Sequence, residues 1–421
     1  MRDVHEVDAL RSCAGVSYLP TRALPPGASS LHGPGVPFGS PAYAAADARD
    51  ITPTSVQSPA TPIPGWLATG SLWTDERFVV RVPKAWNGRL IVAGTPAQRS
   101  EFACDRLFAD PLLARGYAYA SGNKGQGDGA VLLEAGVTMS VEGAVLPRFL
   151  LPDGRGISFV QHAPGHTMER WLDEFLAVTE AAHAIAGEVS GRAPLLTYAV
   201  GLSNGGYEVR RAIEESDRFA GALTWNAVLW TPQHNLLRQL PQAIAAMEAG
   251  RPDLLEGLGL PPEVAAASGA GSLYAKNLAA YWYVTVWLHA MHLDPQASLA
   301  YGDVGDPERA EEWNGRIGAW RFDRSPVVER RVAAFANTGD IRCKFVDLAS
   351  QFDHLIAPSV HFDAYERLVE AAGRSDRYRR HMLANAQHVD AWSDDPDYPA
   401  MQSAHARVMA AFDELVRWVE G

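Results

Sequence analysis

The sequence predicts an α/β protein: a mostly parallel sheet with helices on both faces, interrupted by a helical insertion. Three observations predict it. Short apolar runs alternate with helical patterns from about residue 89 to 230. The alternation stops over residues 231–335 and resumes after them. A glycine-flanked serine, in "VGLSNGG", stands where an apolar run meets a helical pattern. Such alternation requires right-handed crossovers, which cover both faces of a parallel sheet.

The elements follow in order. Residues 1–62 are rich in Pro, Gly, Ala and Ser and read as an irregular extension with no core of its own. From residue 63, "WLATGSL" and "RFVVRVP" are β-rich runs separated by polar turn residues. "RLIVAG" is almost continuously apolar and ends in glycine, as a buried strand does. "DRLFADPLLARG" is helix-like, and "YAYAS" is the next strand. The stretch 126–164 reads as an extra hairpin at the rim of the site. "MERWLDEFLAVTEAAHAIAGEV" places apolar residues three and four apart and predicts an amphipathic helix. "LLTYAV", "GYEVRRAIEES" and "FAGALTWNAVLW" continue as strand, helix and strand. Residues 231–335 are helix-rich, "SLYAKNLAAYWYVTVWLHAMHLD" being the most apolar part, and are expected to lie as a lid over the serine. Beyond 336 come the strand "CKFVDLA", the helix "PSVHFDAYERLVEAAG", the strand "YRRHMLANA" and a closing helix. The core therefore comprises 63–230 and 336–421, with 231–335 inserted.

Composition narrows the function. The net charge of −12 repels phosphate backbones, and the Lys and Arg residues form no basic block, so no nucleic-acid partner is expected. No apolar stretch reaches about 18 residues, so no membrane span is expected. The N-terminus lacks a basic segment followed by an apolar one, which points to a cytoplasmic protein. Cys13, Cys104 and Cys343 have no metal or redox spacing, although a Cys13–Cys104 bridge stays open. Asp294, Asp303 and Asp306 are too widely spaced for a calcium loop. The reading calls for no cofactor and no metal, and it leaves homo-oligomerisation open.

Gly201-Leu202-Ser203-Asn204-Gly205 is a G-x-S-x-G turn. The bare pattern is common by chance; its position between a strand and a helix is what gives it meaning. The glycines let strand and helix approach, and the turn projects the serine hydroxyl from the carboxyl end of the sheet. The N–H of Asn204, at the positive end of the following helix, becomes an oxyanion donor. A second donor should follow "RLIVAG". Pro96 has no N–H, which leaves Thr95 or Ala97, or the Gln98 amide.

A serine hydroxyl needs a base, and the base needs an orienting carboxylate. In a nucleophile-elbow protein these follow later in the chain, acid first. Asp353 lies in the loop "SQFDHLIAP" after a late strand. Asp347 is the alternative, but it sits within the strand and faces the sheet. His388, in "NAQHVDAW", lies one helix and one strand beyond Asp353. His361 falls in a helix, His381 in a strand, His354 beside the acid, and His162 and His166 ahead of the serine. In the insertion, Tyr274, Tyr281, Trp282, Tyr283 and Trp287 are aromatic at helical spacing. Tyr281, Trp282 and Trp287 are candidates to line a substrate pocket, with core packing the commoner role at this spacing.

"VGLSNGG", "LASQFDHLIAP", "AQHVDAW" and "LLARGYAYASGNKG" together resemble the α/β-hydrolase superfamily over roughly 65–230 and 335–421. The resemblance implies an eight-stranded, mostly parallel sheet and a triad of Ser203 as nucleophile, His388 as general base and acid, and Asp353 as its orienter. Two places depart from the common pattern: Ala93-Gly94 and Ala349-Ser350 stand where His-Gly is usual. "VPKAWNGRLIVAG" and the large insertion bear a fainter likeness to tannase/feruloyl-esterase and hydroxyalkanoate-oligomer hydrolases. The expected activity is cleavage of a small-molecule or oligomeric carboxylic ester through an acyl-enzyme. An amidase or peptidase on the same triad, or a non-catalytic ligand-binding protein of the same fold, are the alternatives.

Overall fold

The computed structural model describes residues 63–72, 76–96, 101, 103–124, 167–269, 271–294, 297, 315–390, 393 and 395–421, and the strand segments 2–7, 28–30, 130–133, 140–141, 144–145, 148–150 and 156–159. Among these residues nine strands form the main sheet: β1 (Arg2–Val7), β2 (Gly65–Ser71), β3 (Arg77–Pro83), β4 (Arg89–Gly94), β5 (Ala118–Gly122), β6 (Leu196–Leu202), β7 (Gly221–Trp225), β8 (Lys344–Ser350) and β9 (Tyr378–Leu383). Their order is β1-β2-β3-β5-β4-β6-β7-β8-β9. The pairs β1–β2, β2–β3 and β3–β5 are antiparallel, and every pair from β5 to β9 is parallel. The eight strands β2–β9 match the expected sheet.

The ninth strand comes from the segment expected to be irregular. Arg2–Val7 pairs along the open edge of β2. An edge strand bonds through its backbone, so its side chains need not alternate, and composition alone does not reveal it. Ala28–Ser30 likewise pairs with Ala130–Leu133 in a small second sheet. The expected hairpin falls partly in that sheet: Arg148–Leu150 pairs with Gly156–Phe159, which pairs with Ala130–Leu133.

The apolar strands serve two faces at once. Leu90 and Val92 of β4 pack with α1 (Trp171–Ser190), α2 (Asn204–Glu215) and α6 (Asp363–Ala371). Ile91 and Ala93 pack on the opposite face with the helical turns 105–113 and with α7 (His405–Glu420). A strand buried on both sides must be apolar throughout, which is why "RLIVAG" does not alternate. In α1 the buried Trp171, Phe175, Val178, Ala182 and Ile185 recur at intervals of three and four, and the helix stops at left-handed Gly191.

The insertion is helical. It contains α3 (Leu236–Glu248), a continuous helical run from Leu273 that ends in α4 (Tyr283–Leu293), and α5 (Pro326–Ala334). Its apolar core joins Leu240, Ile244, Trp282 and Trp287 to Tyr207 of α2 and to Leu355 and Ile356 beyond β8.

Between β4 and β6 the chain reverses its direction of progress across the sheet. Such a switch point opens a crevice at the carboxyl ends of the two strands. Here Gly94 and Gly201 are paired in register, and α2 descends on top of them. A Cβ on Gly201 would lie 2.3 Å from Gly205 O, and one on Gly205 would lie 2.1 Å from Gly94 O. Neither can be accommodated without moving backbone. Gly205→Ala should therefore cost about 3 kcal/mol or more. Gly187→Ala, in α1 with nothing within 4 Å of its Cβ, should instead stabilise by roughly 0.5–1 kcal/mol. Urea midpoints of the two variants check the contrast.

Candidate active site

Ser203 links β6 to α2 with φ 59° and ψ −122°. Non-glycine residues seldom hold a positive φ, so surrounding bonds must enforce it. They do: Ser203 N donates to Trp225 O, and Tyr207 N and Val228 N both donate to Ser203 O, each at 3.1 Å. The turn is thus pinned to the chain leaving β7. Asn204 opens α2, so its N–H belongs to the first turn, where amides have no intrahelical partner and the helix end is positive.

Asp353 lies in the turn after β8 and is fully buried. Its Oδ1 accepts from Leu355 N at 2.9 Å and Ile356 N at 2.7 Å. Its Oδ2 lies 2.7 Å from His388 Nδ1. With the carboxylate as acceptor, Nδ1 carries the proton and Nε2 presents its lone pair. The structure therefore brings Asp353 and His388 together. Among the described residues no hydrogen bond joins Ser203 Oγ to His388; the serine follows β6 and the histidine follows β9 at the same carboxyl edge. Asp347 has a different role. It is buried within β8, where its carboxylate accepts from Arg210 at 2.6 Å, Thr224 Oγ1 at 2.5 Å and Tyr378 OH at 3.0 Å.

On the other side of Ser203 the turn after β4 is held from below. Lys124, itself at φ 61°, donates from Nζ to Thr95 O at 2.5 Å. Its ammonium is 3.6 Å from Glu208 Oε2 and 4.9 Å from the centre of the Trp171 ring. Burial pushes Glu208 up to about 8, opposed chiefly by Lys124. The same burial pushes Lys124 down, opposed chiefly by Glu208. The Thr95 backbone also lowers the Glu208 carboxyl, against burial. Thr95 follows β4 with its carbonyl bound by Lys124, and its amide remains a candidate oxyanion donor beside Asn204. Ala97 and Gln98 lie outside the described residues.

No family model and no curated protein matches the sequence. Solved structures do match. Feruloyl esterase B from Aspergillus oryzae superposes with a TM-score of 0.50 at 10% identity, over 100% of this chain and 87% of that one. The chain has the α/β-hydrolase fold. A putative esterase from Staphylococcus aureus matches with a TM-score of 0.41 at 9% identity, over 87% and 85% of the two chains. An acylaminoacyl peptidase matches with a TM-score of 0.41 at 12% identity over 83% of this chain, which spans only 40% of the peptidase's length.

Within the α/β-hydrolase fold, the remaining expectations sort by burial. Trp282 and Trp287 are buried in the insertion's core, and Trp282 Nε1 donates to His354 O at 2.7 Å. Both pack in that core, and Tyr281 is half-buried against it. Tyr274 is also buried, with its OH donating to Pro261 O at 2.5 Å, and Tyr283 OH donates to Glu248 at 2.9 Å. His361 Nδ1 accepts from Leu229 N, and His381 pairs with Glu414. Cys104 is buried with its Sγ 3.6 Å from Gly94 O. Cys13, His162, His166, Asp303 and Asp306 lie outside the described residues.

Sequence reasoning missed His289. It reaches from α4 to the elbow, with Nε2 3.3 Å from Asn204 Nδ2 and Nδ1 2.7 Å from Thr285 O. The Thr285 carbonyl demands a proton on Nδ1, so Nε2 accepts from the Asn204 amide. Burial holds this imidazole down at about 4, hence neutral at pH 7. Its place in an apolar helix gives no sequence signal.

Glu174 extends the buried acid group. Burial, then Glu76 and Glu208, push it from 4.5 up to about 8. A raised carboxyl pKa favours the fold below the unfolded value and loses that advantage as pH rises through the folded one. Glu174→Gln should therefore match the parent protein near pH 4.5 and gain on it steadily towards pH 8. Paired urea titrations across that range test it; a constant difference would disprove it.

Proposed function

We propose that this chain is a serine hydrolase that cleaves a carboxylic ester, of a small molecule or an oligomeric ester, through an acyl-enzyme. The observation that carries the reading is the 2.7 Å contact of His388 Nδ1 with buried Asp353, at the same sheet edge as a serine held in a strained strand-to-helix turn. Charge-bearing groups arranged in this way have a chemical use that a tight turn alone does not.

Ser203 Oγ attacks the ester carbonyl carbon and gives its proton to His388 Nε2. The carbonyl electrons move onto oxygen, and the Asn204 N–H meets the oxyanion. The tetrahedral species collapses, the ester C–O bond breaks, and His388 returns the proton to the leaving alcohol. Water then gives a proton to His388 and attacks the acyl carbon. Ser203 departs with that proton, releasing the acid. Asp353 keeps its hydrogen bond to the Nδ1–H of His388 throughout and faces the imidazolium. The second oxyanion donor comes from the turn after β4, with Thr95 the first candidate and Ala97 or Gln98 the others. The steps call on no cofactor or metal. The insertion, which reaches Asn204 through His289, fits a cap over the site. In apo structures the serine–histidine bond is often long and tightens on substrate.

Covalent labelling by a fluorophosphonate probe tests the reading. Ser203→Ala should abolish labelling and lower ester turnover by roughly 10⁴-fold, and Asp353→Asn should be similarly severe. Asp347→Asn should keep labelling but lose stability, by about 3–5 kcal/mol if Arg210 is left unpaired. An unlabelled parent protein, or a Ser203→Ala variant that still labels, would overturn it. An amidase would use the same groups, and turnover of matched p-nitrophenyl ester and anilide substrates separates the two activities.

A further inference from the structure

We propose that Asn226 is a positioning residue that fixes the histidine and acid loops relative to the nucleophile turn; the proposal rests on the hydrolase reading. Asn226 is the first residue after β7, between the nucleophile strand β6 and the acid strand β8. It is buried and holds φ 50°, a left-handed conformation that asparagine tolerates better than most residues.

Its bonds account for that conformation. The backbone N donates to Leu348 O at 2.8 Å. Oδ1 accepts from Ser350 N at 2.7 Å, three residues ahead of Asp353. Nδ2 donates to the carbonyl of His388 at 2.8 Å, with Ser350 Oγ at 3.0 Å and Gln387 O at 3.3 Å. The amide orientation is unambiguous, because Ser350 N can only donate and the His388 carbonyl can only accept. The neighbouring Trp225 O and Val228 N hold the two sides of Ser203. One short side chain thus joins the turn that braces the serine, the entry to the acid loop and the backbone of the histidine.

The imidazole is then fixed twice. Asp353 Oδ2 sets its ring orientation, and Asn226 sets the backbone from which the ring hangs. Losing the second constraint should leave the ring bound to Asp353 yet displaced from the serine. That displacement should appear in the chemical step and leave substrate binding alone.

The test uses the full chain, p-nitrophenyl acetate and the fluorophosphonate probe. Asn226→Gly accepts the left-handed backbone and removes the side chain. Asn226→Asp keeps shape, backbone tolerance and the Oδ1 acceptor but cannot donate to His388 O, and it serves if the glycine variant does not fold. Each should lower kcat between about tenfold and a hundredfold, with KM within about twofold, because misplacement of about 1 Å costs on that scale. Probe labelling should slow in parallel. In a His388→Ala background the same change should alter the residual rate less than about twofold, since no imidazole remains to misplace. An equal loss in both backgrounds, or a rise in KM with kcat intact, would overturn the positioning role. An active, labelled parent whose Asn226 variants keep full kcat would refute this inference alone; a parent without labelling would refute the hydrolase reading beneath it.

Discussion

Three backbones meet at the centre of this molecule with no side chain between them. Gly94 ends β4, Gly201 lies beside it near the end of β6, and Gly205 carries the first turn of α2 down onto both. Every other feature of the site inherits its geometry from that approach. It brings the positive end of α2 up to the switch point of the sheet and sets Asn204 beside the turn after β4. It also bends the chain so sharply that Ser203 is left at a positive φ. A conformation of that kind costs on the order of 1–3 kcal/mol, and the cost is met by bonds from the next strand, through Trp225 O and Val228 N. Nucleophile turn and sheet are therefore one mechanical object.

How much of this the sequence discloses depends on whether the cause is local. The elbow is legible because its glycines, its strand and its helix are consecutive. Asp353 is separable from Asp347 by position relative to a strand end, and the structure gives each a matching environment: two backbone N–H groups and an imidazole for one, an arginine, a threonine and a tyrosine inside the sheet for the other. Lys124, Asn226 and His289 are different. Each acts through partners on distant segments, and the polar residues after β5 and β7 look like ordinary turn formers. The positive φ of Lys124 has no signature in residue type, and asparagine's tolerance of that conformation does not single out Asn226 among the other asparagines. Thr95 lies in the turn after β4, where the sequence places it, and its carbonyl answers to Lys124, two residues past β5, a partner only the fold brings near. The strand Arg2–Val7 escaped notice because an edge pairs by backbone alone.

The insertion is welded to the chemistry-bearing loops at more than one point. Trp282 holds the carbonyl of His354, the residue next to Asp353. His354 Nε2 reaches Pro262 O at 3.0 Å, and Tyr274 stands edge-on to its ring. Leu355 and Ile356, whose amides serve the Asp353 carboxylate, belong to the insertion's apolar core. Trp282 and Tyr274 thus stabilise the acid loop from behind.

The histidine loop has its own anchor at the opposite end. Asp390, two residues past His388, accepts from Ala404 N at 2.7 Å, from Ser403 Oγ at 2.8 Å and from His405 N at 2.9 Å, closing the start of α7. A carboxylate at a helix's positive end is a favourable pairing, but it also makes α7 and the imidazole travel as a unit. The other end of that helix grips the sheet near its surface, where Glu420 meets Tyr198 OH and Arg89. Between those two ends Val408, Ala411, Phe412 and Leu415 lie buried against the sheet, so the helix ties the histidine loop to the core along its whole length.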